Sequence, residues 1–262
     1  MKKVVVALVF VLVAASATAQ LIVPKGSAPE LLIPAAGSVQ GANGTFFRSD
    51  ITLINYRATE QRVRLRWMPE NAPGSDIAPV DVSIGAFSGI ISEDFVTSIL
   101  GKSGLGAILV TAINADGTFD SNGRLFSTAR IWTPEPGSSG TTSQTFPTIA
   151  TADIPNTQRV SIVGQRRDER YRLNVGIVNL DATRSQTFTV TVSAGGTQNL
   201  QNIIVPPFSL RQVALVGVLA PTIQVSVQNV TSGAQSAFLA YGSSVDNTTG
   251  DAWSSLGFVP PV

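Results

Sequence analysis

One stretch of the chain occurs twice. Phe47-Arg-Ser-Asp-Ile-Thr-Leu-Ile-Asn-Tyr-Arg-Ala-Thr59 returns as Tyr171-Arg-Leu-Asn-Val-Gly-Ile-Val-Asn-Leu-Asp-Ala-Thr183. Each copy runs aromatic, Arg, any residue, Asp or Asn, then aliphatics at every second place, then Asn and finally Ala-Thr. Alternation with period 2 predicts a strand with one buried and one solvated face. Phe47, Ile51 and Leu53 take the inner parity, and Arg48, Asp50 and Thr52 the outer. In the second copy Tyr171, Leu173, Val175 and Ile177 point in, while Arg172 and Asn174 point out. One strand used twice implies one domain used twice.

The flanking segments fit that reading. Arg62-Val-Arg-Leu-Arg-Trp67 alternates, and so does its counterpart Thr187-Phe-Thr-Val-Thr-Val192, with Thr in place of Arg. Pro69 to Pro79 reads as a loop, and Val80, Val82 and Ile84 as a further strand. Ser92 to Gly101 carries a capping Ser, two acids and a closing Gly, which predicts a helix of two turns. Strands resume at Ala107–Ile113 and Leu125–Trp132, with counterparts at Thr222–Val227 and Ala237–Ser243. Residues 20–44 read as an extended leader with a first edge strand around Leu31-Leu-Ile33. Residues 133–153, rich in Pro, Gly, Ser and Thr, join the halves and include a last short edge strand of the first domain, around Phe146-Pro147. The expected organisation is a first domain over residues 20–150 and a second over 151–262. Each would hold roughly seven strands between turn signals, with no alternation of strand and helix. The predicted fold class is all-β: two tandem antiparallel β-sandwich, immunoglobulin-like domains with separate interiors, the first carrying a short helix.

Composition narrows the chemistry. The chain has 262 residues, 44% hydrophobic and 13% charged, with 23 Gly, 15 Pro, no Cys and no His. Missing Cys and His remove thiol nucleophiles, disulfides, the usual zinc ligands and the commonest general base. Residues 1–19 have the anatomy of a signal peptide: Lys2 and Lys3, an apolar run from Val4 to Ala14, and a small-residue cleavage site at Ala17-Thr-Ala19. Export to the periplasm, cell surface or medium is the expectation. No later run is long enough to span a membrane. Loss of Lys2 and Lys3 leaves 16 of the 18 basic residues against 17 acidic ones. That balance gives no reason to expect nucleic acid as a partner.

At this point the chain resembles secreted bacterial proteins built from tandem immunoglobulin-like or fibronectin-like sandwiches. The residues that carry the likeness are Phe47 to Asn55, Tyr171 to Asn179, and the closing Tyr241-Gly-Ser-Ser-Val-Asp-Asn-Thr-Thr-Gly-Asp251 with Phe258-Val-Pro260. The resemblance implies a fold and an exported setting, and no activity. Trp67 falls on the buried parity and reads as core, but the disulfide and core-Trp arrangement of antibody domains is absent, so a true antibody-type domain is not implied.

Candidate contact residues are few. Arg62, Arg64 and Arg66 form a basic row that would suit an acidic polysaccharide or a carboxylate-bearing partner. The competing reading is a solvated face whose arginines pair across strands with Asp81. Trp132 and Trp253, near strand ends, would stack on sugar rings if exposed, or else pack at the ends of the sandwiches. Arg48 with Asp50, and Arg172 with Asn174, are spaced for local pairing along one strand. Arg166 to Arg172 reads as a solvated hairpin of mixed charge. The loops Asp116 to Gly123 and Asp246 to Asp251 hold oxygen ligands that calcium favours, but hairpin turns use the same letters. No catalytic, metal or cofactor residues are assigned. The expected role is a non-catalytic structural, adhesive or assembly module that meets an envelope or extracellular protein or a polysaccharide. The alternatives are a carbohydrate-binding module and a two-domain periplasmic chaperone.

Overall fold

The computed structural model describes residues 26–41, 44–135, 137, 139–233 and 236–259. The expected signal peptide lies outside the described residues. In the first half the strands are β1 (Glu30–Gln40), β2 (Phe46–Asn55), β3 (Gln61–Pro69), β4 (Val80–Ile84), β5 (Gly89–Ser92), β6 (Gly104–Ile113), β7 (Leu125–Pro134), β8 (Thr141–Phe146) and β9 (Ile149–Ala150). A one-turn helix α1 (Phe95–Ser98) sits between β5 and β6. The second half holds β10 (Arg159–Arg167), β11 (Tyr171–Asn179), β12 (Gln186–Ala194), β13 (Thr197–Val205), β14 (Ser209–Ala214), β15 (Ala220–Asn229), β16 (Phe238–Asp246) and β17 (Ala252–Leu256).

Pairing is antiparallel throughout these ladders, and the halves match strand for strand. One layer of the first half runs β4-β3-β6-β1 and the other holds β2 between β5 and β7, with β8 beyond β7. The second half repeats this as β13-β12-β15-β10 and β14-β11-β16-β17. Each layer buries one parity of its strands, so two sandwich interiors form. Ile51, Leu53, Val63, Leu65, Ile108 and Val110 fill the first, and Val175, Ile177, Phe188, Val190, Val225 and Val227 the second. The motif strands are β2 and β11, with Ser49, Ile51, Leu53 and Asn55 buried on the inner parity of β2.

Three expectations change. β1 is a central strand rather than an edge, paired with β6 along most of its length and with β9. Its register shifts between Ile33 and Ala36, where Pro34 cannot donate to the ladder. A bulge there admits a proline into a central strand, which is why the segment reads as a leader. β10, the counterpart, shifts at the same stage, between Ile162 and Gln165, around Gly164 at φ 74°. The helix is one turn, not two. Ser92 belongs to β5, and Gly101 at φ 63° ends the turn. Arg166 to Arg172 is not a paired hairpin: β10 and β11 lie in different layers, and the segment crosses between them.

The repeated Asn closes each sandwich. The Asn55 side-chain amide donates to the carbonyls of Thr59 (2.8 Å), Gly85 (3.0 Å) and Ile84 (3.2 Å), the last ending β4 in the opposite layer. Asn179 donates likewise to Pro206 (2.8 Å), Arg184 (2.9 Å) and Val205 (3.2 Å), the last ending β13. Each Oδ1 accepts the backbone N–H two residues on, from Arg57 and from Asp181, both at 2.9 Å. Both Asn side chains are fully buried, so these bonds tie the two layers where water cannot replace them.

A third apolar cluster lies between the halves. Leu32 of β1, Met68 of β3 and Leu109 of β6 meet Val178 of β11, Leu210 of β14 and Tyr241 of β16. β16 is therefore buried at every residue, covered on both faces. The Tyr241 ring lies flat over β11, and a Cβ added to Gly176 would sit 2.0 Å from its Cζ. Only glycine lets that ring approach.

Asn179→Ala removes the donor shared by the carbonyls of Arg184, Val205 and Pro206 and the buried acceptor of the Asp181 N–H and the Gln186 amide, and is expected to cost about 3 kcal/mol in urea unfolding, with Asn55→Ala similar. Gly176→Ala is expected to cost about 2 kcal/mol through overpacking. Combining it with Tyr241→Leu recovers part of that loss if the ring contact is the cause.

Candidate binding cleft between the two sandwiches

The seam between the halves is not uniformly closed. A cleft of about 200 Å³ opens along it, lined by Phe47, Ile131, Phe146, Arg172, Asn174 and Ser243 among others. It brings together the first residue of one motif strand and the Arg and Asn of the other. Its lining mixes apolar residues (Phe47, Ile131, Phe146) with polar ones (Arg172, Asn174, Ser243), the composition small-molecule sites share. Arg172 is exposed and its guanidinium donates to Asn247 Oδ1 at 3.1 Å. Thr142 and Ser143 also line a second, polar depression of about 430 Å³ with Arg170, Tyr171, Asp246 and Asp251. Trp253 stands edge-on to Tyr171, with ring centroids 5.4 Å apart, and its Nε1 donates to the Gly164 carbonyl at 2.9 Å.

The seam is held by polar contacts at both sides of the apolar cluster. The loop after β3 docks on the second half: Asn71 N–H donates to the Leu210 carbonyl (2.9 Å) and Gly74 N–H to that of Pro207 (3.1 Å). The Gln212 N–H donates to Glu70 Oε1 at 3.2 Å, and the Tyr241 hydroxyl donates to Gln212 Oε1 at 2.8 Å. Burial pushes the Glu70 carboxyl above its ordinary range, against the opposing pull of the Gln212 N–H and the Arg211 charge. At the other side Gln144 Nε2 donates to Ser243 Oγ (2.8 Å) and Ser254 Oγ to the Thr145 carbonyl (2.7 Å).

None of the five candidate contact residues lines either depression. Arg64 grips Asp81 through two hydrogen bonds of 2.9 Å, and Arg62 lies 3.7 Å from the same carboxylate. That hydrogen bond from Arg64 holds the Asp81 carboxyl below the usual range. The Arg66 guanidinium sits 5.6 Å from the centroid of the Phe208 ring in the other half. Trp132 is half-buried and donates from Nε1 to the Glu93 carbonyl at 2.9 Å. Trp253 keeps 38% of its surface exposed.

The expected local pairs are replaced by longer-range ones. Asp50 accepts from Arg130 at 2.9 Å, not from Arg48, which lies 3.7 Å from Asp94 and over the Phe46 ring. Arg172 reaches Asn247 instead of Asn174. Asp50 finds its partner directly across the ladder, and Arg172 finds its own in the turn that follows β16. The acidic loops are occupied by their own turns. Asp116 accepts from Thr118, Asp120 from Asn122 and Arg57, and Asp246 from Thr248, Thr249 and Arg170. Backbone donation from Thr248, then the bond from Arg170, holds the Asp246 carboxyl low. Among the described residues no group of three or more acidic side chains is placed to hold a metal ion, and no helix is long and apolar enough to cross a membrane.

No protein-family model matches the chain, and no curated protein does. Among solved structures, Thermotoga maritima 1070 is similar over 40% of this chain and 95% of its own, at 9% identity and a TM-score of 0.33. That likeness is too faint to carry fold or function across.

Glu70 yields a pH test. Its folded-state affinity for a proton exceeds that of the unfolded chain, so its contribution is present below the unfolded pKa, near 4.3, and is lost as pH rises through the folded value. Glu70→Gln is expected to raise the melting temperature at pH 7 and to change it little at pH 4. Equal shifts at both pH values would contradict the burial of that carboxyl.

Proposed function

We propose that the chain is an exported, non-catalytic module that presents a rigid double sandwich to another macromolecule of the envelope or the extracellular space. The supporting observation is how its ionisable side chains are used. Arg64 with Asp81, Arg130 with Asp50, Arg170 with Asp246, and Arg184 with Asp181 are engaged with one another in structural pairs. Asp181 shows the pattern most fully. Burial works against its charge, yet donors from Ser236, Thr183 and Arg184 outweigh it and hold the carboxyl far below the ordinary range. A chain with neither His nor Cys, many of whose aspartates are committed to turns and ion pairs, is suited to binding and assembly rather than to proton transfer. The leader read at residues 1–19 supports export.

The chain from Gln20 to Val262, used as bait in an envelope extract, is expected to retain a specific partner. A freely diffusing protein with nothing retained would count against the reading. Expression of the full chain is expected to yield a product whose N-terminus is Gln20, outside the cytoplasm.

A carbohydrate-binding reading is favoured by one feature: the exposed Trp253 packs on Tyr171, which itself lines a depression with Arg170, Asp246 and Asp251. A glycan array tests it, with Trp253→Ala expected to weaken any hit. Silence across acidic and neutral polymers retires it.

A further inference from the structure

β13 ends its sheet, and among the described residues no strand pairs with its outer edge. Which backbone groups face outward follows from the hairpin that makes it. Gly195 and Gly196, at φ 54° and 84°, form a two-residue turn closing on the pair Ala194–Thr197. Such a turn closes on a hydrogen-bonded pair, and hydrogen-bonded pairs recur at every second residue. Thr197, Asn199, Gln201, Ile203 and Val205 therefore bond to β12. The neighbouring ladder agrees, since the Thr187 carbonyl bonds away from β13, to the Val230 N–H at 2.9 Å. Gln198, Leu200, Asn202 and Ile204 are left with N–H and C=O directed outward.

This edge lacks the devices that usually blunt one. Thr-Gln-Asn-Leu-Gln-Asn-Ile-Ile-Val contains no charge and no proline. Leu200 and Ile204 are 62% and 63% exposed on its solvent face. The counterpart β4 is blunted: it is five residues long, follows Pro79, and carries Asp81 held by two arginines. A groove of about 720 Å³ beside β13, bordered by Ile203, Arg211 and Val213, leaves the approach open.

We propose that β13 is an assembly edge whose occupant is β13 of a second copy, paired antiparallel about a two-fold axis through Asn202. The register follows from the strand itself. With Asn202 opposite Asn202 of the second copy, Leu200 faces Ile204 on both sides of the axis. Every one of these pairs uses the outward backbone groups, and the two most exposed aliphatics of the strand cover each other. An uncharged strand meets its own copy without repulsion, and the two four-stranded sheets become one of eight. The inference deepens the assembly reading above and rests on it, naming a second copy as the partner.

The test uses the chain from Gln20 to Val262. Sedimentation equilibrium is expected to give a mass that climbs towards twice the monomer with concentration. Asn202→Pro removes an outward N–H and one exposed hydrogen bond, from Thr189 Oγ1 to Asn202 Oδ1 (2.9 Å), and no bond to the β12 backbone, so it is expected to leave a folded monomer with wild-type circular dichroism. Should that variant unfold, Leu200→Lys with Ile204→Lys serves instead, because both side chains are exposed. The chain has no native cysteine, so Asn202→Cys is expected to cross-link with itself under mild oxidation, while Gln212→Cys is not. A monomer at every concentration overturns the inference, and so does a dimer unaffected by both edge variants or joined through another strand. Loss of the envelope partner with the dimer intact counts against the broader reading alone, and a monomer that retains an envelope partner counts against this inference alone.

Discussion

The cluster between the halves governs more of the architecture than either sandwich interior. Leu32, Met68, Leu109, Leu210 and Tyr241 remove a second face of the inner strands from water, and apolar burial is the main favourable term available to a chain without disulfides. β16 and most of β1 are apolar or small on both parities as a consequence. Gly176 is small because Tyr241 lies on it. The positions opposite each other at the same place in the first half are Thr52 and Thr128, side chains suited to water. The same strand pair is thus finished in two ways, according to what lies above it.

Much of the fold could be read from the chain before any coordinates. The parity of Ile51 and Leu53, matched by Val175 and Ile177, located the two interiors correctly, because one solvated face and one buried face leave a plain period of 2. The repeated Asn was visible as a letter but not as a clamp: two of its three carbonyl partners in each copy come from the end of a distant strand in the opposite layer. β1 was misread because Pro34 signals an edge, and the bulge that accommodates it depends on the β6 register. The seam was invisible for a related reason. Where both faces of a strand are buried, alternation disappears, and a run such as Ala107 to Val110 looks the same in a single sandwich as in a stacked pair.

The cleft was harder still to foresee. Phe47, placed in the core by parity, is half-buried at the strand end and lines the opening. Arg172 and Asn174 were legible as an outward pair but not as part of its lining. The arginine row illustrates the opposite error: three like charges on one strand invite a binding role, yet Asp81 one strand away holds two of them. Contact between elements distant in sequence decides which charges remain available, and a periodic pattern carries no record of it.

The two halves meet through unlike surfaces: the outer side of the β3–β6–β1 layer in one and of the β14–β11–β16 layer in the other. Such a contact has a head and a tail, so each half retains the surface its twin has used. Repeated, that arrangement would stack without limit. Here the unused surfaces carry Asp50, Thr52, Thr128 and Arg130 at one end, and at the other Thr187, Thr189, Thr191 and Gln224 beside the exposed Leu200 and Ile204 of the edge strand. Hydration of those polar side chains opposes a further copy of the same apolar contact at either end.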